Sequence, residues 1–61
     1  MSQISEIRMK KVKDMTKWEL LMVKQDTIRL ITSSNNPRTI QQEKKYLEKI
    51  NKRLREIDNG N

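Results

Sequence analysis

The sequence predicts an all-α chain, an antiparallel helical hairpin with a helical N-terminal extension. Helix-forming Lys, Glu, Gln, Leu, Met and Arg dominate, and one Gly and one Pro leave little punctuation. The internal break, Thr32 to Asn36 followed by Pro37, divides the chain into two long stretches. In both stretches apolar residues recur at helical spacing rather than in alternation.

The N-terminal extension is expected to be helical over about 3–13. Ile4, Ile7, Trp18, Leu21 and Ile28 share one heptad frame, interrupted by Lys11, Asp14 and Gln25. That frame fits a helix running unbroken from about residue 3. Thr16-Lys17-Trp18-Glu19, however, has the form of a capping box, with Met15 and Leu20 at the positions of a hydrophobic staple. Box and staple together favour a hinge near Asp14–Thr16, which would make residues 1–15 a separately mobile segment of a single small domain, 1–61.

The first long helix is expected over about 16–32. Leu20, Leu21, Val23, Ile28, Leu30 and Ile31 form a broad apolar face, into which Lys17 and Lys24 can lay their stems while their ammonium groups stay in water. Met15, Trp18 and Met22 form a separate cluster on the other side, beside Arg29. After a loop at 33–36, the second long helix is expected over about 37–58. Asn36 suits the N-cap, and Pro37 the first helical position, where its missing N–H costs nothing. Its seam reads Ile40, Glu43, Leu47, Ile50, Leu54 and Ile57, with Glu43 the one misfit. At the end, Gly60 or Asn59 can adopt the left-handed conformation that closes a helix.

The two helices are unequal. The first is apolar nearly all round, whereas the second offers one stripe, so a simple hairpin leaves a side of the first helix uncovered. In a chain of 61 residues a single core is marginal, and without Cys or His there is no disulfide or Cys/His zinc site to reinforce it. Pairing of two hairpins into a dimeric four-helix-type bundle is the expected remedy. The hairpin or oligomer core is read as Leu20, Leu21, Val23, Ile28, Ile31, Ile40, Leu47, Ile50, Leu54 and Ile57.

The same composition bounds function. Without His or Cys, a Gly-rich phosphate loop or a metal-ligand cluster, neither an enzyme nor a cofactor or metal site is expected. Glu19 and Asp26 share a helical face, but nothing in the sequence builds a pocket around them. No apolar run is long enough for a membrane span or a signal-peptide core, so the reading is cytoplasmic with no membrane contact. The formal charge of +6 favours acidic partners or nucleic acid.

Two surfaces emerge as candidates. Met15, Trp18, Met22 and Arg29 make a protein-binding site, because Trp is enriched at interface hot spots and Met adapts to varied surfaces. Arg38, Lys45, Lys49, Lys52 and Arg53 lie on the outer side of the second helix, where they can follow phosphates or an acidic partner. Arg8, Lys10, Lys11 and Lys13 form a smaller basic group, read as a solvated helical face. The expected function is that of a non-catalytic regulator or adaptor that binds another protein through helical faces as a homo-oligomer. The alternative is a basic nucleic-acid-binding accessory protein. A chain of this character also fits an accessory protein of a phage or other mobile element.

Overall fold

The computed structural model describes residues 3–60. Within them the chain is all-helical: α1 (Gln3–Arg8), a single 3-10 turn at Val12–Asp14, α2 (Lys17–Ser33) and α3 (Pro37–Asp58). The two long helices pack side by side. They run antiparallel, since Lys17 at the start of α2 reaches Asp58 at the end of α3 at 3.2 Å.

Local signals set the ends of both long helices. The Thr16 hydroxyl accepts from the Glu19 backbone N–H at 3.2 Å, while the Glu19 carboxylate accepts from the Thr16 N–H at 2.8 Å. Together they satisfy two of the donors that every helix start leaves open. The Asn36 side chain accepts from the Arg38 N–H at 3.0 Å, one residue after Pro37 enters α3. Gly60, at φ 80°, takes the left-handed position beyond α3, where a Cβ would be strained.

The N-terminal extension is not one helix. It breaks after Arg8, passes through an extended Lys11 and re-forms as the 3-10 turn. On an unbroken helix Ile7 and Val12 would sit about 140° apart. The break lets both face the hairpin, where Ile7 is buried and Val12 packs against the core. Accordingly α1 lies on α2 and the 3-10 turn lies on α3.

Ile7, Met15, Leu20, Val23, Ile50 and Leu54 form the core, with Val12, Tyr46 and Ile57 packed against it. Ile31, Ile40 and Leu47, also expected in the core, are half-buried. Leu21 and Ile28, expected in a hairpin or oligomer core, are 38% and 37% exposed and so lie outside the hairpin core. The buried side of α2 is centred on Val23, Thr27 and Leu20, which leaves Leu21 and Ile28 past its edge. Thr27 is fully buried and satisfied, its hydroxyl donating to the Val23 carbonyl at 2.7 Å.

Candidate functional site

The outward side of α2 carries the largest exposed apolar side chains of the long helices. Trp18 is 78% exposed, Met22 39%, Leu21 38% and Ile28 37%. Trp18, Leu21, Gln25, Ile28 and Thr32 are spaced alternately three and four residues apart, so they fall within about 80° of arc along α2. The result is a second heptad seam, about 21 Å long, on the side of α2 away from Val23 and Thr27, with Leu21 at its α3 edge. Of the four residues read as a protein-binding site, Trp18, Met22 and Arg29 lie on this exposed side. Met15 does not. It is 4% exposed and belongs to the core, because the staple position before a helix turns its side chain inward.

Charged side chains edge the seam. Toward α3, Lys17, Leu21 and Lys24 share a groove with Asn51, Leu54, Arg55 and Asp58. Toward α1, Met22 shares a cleft with Gln3, Glu6, Ile7, Lys10 and Glu19. Most nearby acids already have partners in the chain. Glu19 accepts from Lys10 at 2.6 Å, Asp58 pairs with Lys17, and Asp26 is shared between Arg29 at 2.8 Å and Arg8 at 3.2 Å. The Lys10 hydrogen bond, followed by that of the Thr16 N–H, holds the Glu19 carboxyl below its ordinary range.

Arg8 explains the misfit in the α3 seam. Its guanidinium donates to Glu43 at 2.8 and 3.5 Å, to Asp26 at 3.2 Å and to the Thr27 hydroxyl at 3.0 Å. It also lies over the Tyr46 ring, 4.9 Å from the centroid. One side chain thus ties the end of α1 to both long helices, and Glu43 is the acceptor that this tie requires. Arg8 and Lys10, read from sequence as part of a solvated basic face, are therefore engaged within the fold. Nothing local reveals this, since Arg8 and Glu43 are 35 residues apart. Burial raises the Tyr46 hydroxyl above its ordinary range against the opposing charge of Arg8. That hydroxyl is buried with no hydrogen-bond partner among the described residues.

The outer side of α3 presents the basic strip. Arg38 and Lys45 line a shallow groove with Pro37, Gln41 and Gln42. Further along, Lys49, Lys52 and Arg53 share a cleft with Val12, Glu56 and, from the 3-10 turn, Lys13. The fold thus joins the two basic groups of the sequence at one place. Arg53 is held to Glu56 at 3.3 Å.

Among the described residues no cluster of three or more His, Cys, Asp or Glu side chains is arranged to hold a metal ion. No helix among them is long and apolar enough to cross a membrane. The chain matches no protein-family model, no curated protein and no solved structure.

Proposed function

We propose that this chain is a non-catalytic regulator or adaptor of the cytoplasm that binds another protein along the outer side of α2. The observation that carries the reading is the exposed seam of Trp18, Leu21 and Ile28, bordered by Met22, on a helix whose opposite side already fills the core. Isolated apolar residues on a surface need no explanation, but four exposed on one side of one helix, including the chain's one Trp, are a grouping that does. Trp and Met are also the side chains best suited to anchor a partner. The proposed contacts are Trp18, Leu21, Met22, Ile28 and Arg29.

A second reading rests on the cleft where Lys13 joins Lys49, Lys52 and Arg53. With Lys45 and Arg38 it extends into a strip that can follow the phosphates of a nucleic acid. It lacks an exposed aromatic side chain for stacking on bases, since Tyr46 packs inward.

Capture of partners from the native cytoplasm, with and without nuclease, separates the two. Under the protein-binding reading, a specific partner persists after nuclease and is lost with Trp18→Ala, while Lys45→Glu/Lys49→Glu leaves it in place. A partner that disappears with nuclease and with the charge reversal, but survives Trp18→Ala, would establish the second reading instead.

A further inference from the structure

Charge along the two edges of the α2 seam narrows the class of partner, given that the seam is a docking site as proposed above. On one edge stand Lys17 and Lys24, with Arg55 of α3 across the groove; on the other stands Arg29. Asp58 is committed to Lys17, and Asp26 is divided between Arg8 and Arg29. Lys24 and Arg55 have no ion-pair partner among the described residues. Glu6, beside Met22 on the α1 side, and Glu48, one turn before Asn51 on α3, are acids in the same condition.

A second copy of this chain fits these edges poorly. In an antiparallel pair each edge meets itself, which opposes Lys17 and Lys24 to the same two lysines of the second copy. In a parallel pair each edge meets the other, which opposes Lys24 to Arg29. Like charges flanking a helical seam disfavour that pairing and set partner choice. We propose that the outer side of α2 takes an acidic amphipathic helix, its apolar stripe over Trp18, Leu21 and Ile28 and its carboxylates facing chiefly Lys24 and Arg55, with Lys17 and Arg29, each already paired within the chain, as flanking contacts. The seam, about 21 Å long, matches about four turns of such a helix. The net charge of +6 would draw it in.

The test uses labelled synthetic helices with one shared Leu/Ile seam, flanked by Glu in one peptide and by Lys in another, and the Glu peptide in scrambled order. Each is titrated with the full chain by fluorescence anisotropy. The expected result is that the Glu-flanked helix binds at least about tenfold more tightly than the other two, a margin that shrinks with salt. With Lys24→Glu/Arg29→Glu the preference between Glu and Lys flanks should invert. Equal binding of both ordered peptides, abolished by Trp18→Ala, would overturn the acidic partner while leaving the docking site intact. Equal binding of the scrambled peptide would reduce the interaction to bulk charge and overturn the helix. If neither ordered peptide binds, and the native partner is captured equally by wild type and Trp18→Ala, the docking site itself fails. A dimer in sedimentation equilibrium that Leu21→Glu dissociates would assign the seam to a second copy.

Discussion

α3 keeps its apolar side chains on the stripe that meets the rest of the molecule, with Ile50 and Leu54 buried and Ile40, Leu47 and Ile57 half-buried. Its outer side is Lys, Arg, Gln and Glu. α2 buries Leu20, Val23 and Thr27 in the same interface but also presents Trp18, Leu21, Met22 and Ile28 to solvent. α3 thus has the pattern expected of a helix that folds against a core and stops there. α2 has that pattern plus a second apolar side that the fold does not use. An apolar side that the fold leaves in solvent is a candidate interface, and this difference is the basis of the docking proposal.

The largest effects should separate the buried stripe from everything outside it. Ile50→Ala or Leu20→Ala is expected to cost about 2–5 kcal/mol, as removal of a fully buried side chain does. Lys49→Ala, on the outer side of α3, should cost less than about 0.5 kcal/mol. Thermal melts in which Lys49→Ala and Ile50→Ala are equally damaging would mean that α3 is rotated from the orientation described.

Arg8→Ala comes next, at about 1–3 kcal/mol, because it leaves Glu43 and Asp26 partly desolvated without their shared donor. It should also release α1, visible as faster amide exchange at Ile7 than at Val23. Uniform exchange across both would show that α1 is not held by this contact. Tyr46→Phe removes a buried hydroxyl that lacks a partner and keeps the ring beneath Arg8. It should leave stability unchanged or raise it by up to about 1 kcal/mol. A loss larger than about 1 kcal/mol in denaturant titration would mean that the hydroxyl is satisfied after all.

A smaller effect concerns the start of α2. The Glu19 carboxyl lies below its ordinary range in the fold, so its contribution is complete above the ordinary Glu range. It is then lost as pH falls through the lowered folded value. Glu19→Gln can still cap Thr16 but cannot titrate. Its melting temperature should therefore fall furthest below wild type near neutrality, and the gap should close in acid. Parallel profiles would show that Glu19 does not contribute through its charge.

Much of this architecture was legible because the signals are local. The capping box at Thr16, the Asn36–Pro37 start and the Gly60 end need only a few neighbouring residues each. The seam of α3 was legible because one stripe on a polar helix admits one orientation. The orientation of α2 was not, since a helix apolar nearly all round does not indicate which half meets its neighbour; the sequence therefore assigns Leu21 and Ile28 to a hairpin or oligomer core without separating the two. Thr27 reads as polar until its backbone acceptor is seen. The inward turn of Met15 is a local signal too, from its staple position before α2, but helical spacing groups it with Trp18 and Met22. Trp18, Met22 and Arg29, which helical spacing groups on one side of α2, are exposed in the fold. The joining of Lys13 to the α3 strip required the tertiary fold.

Trp18→Ala separates docking from folding when it is measured in parallel by thermal melting under circular dichroism and by anisotropy with the Glu-flanked helix. A residue 78% exposed on an otherwise folded helix should change stability by less than about 0.5 kcal/mol. As an interface anchor its loss should weaken binding by about 2 kcal/mol or more. A fall in stability of about 3–5 kcal/mol would place Trp18 in a folding core, and unchanged affinity in a well-folded variant would remove it from the docking surface; either result contradicts the account.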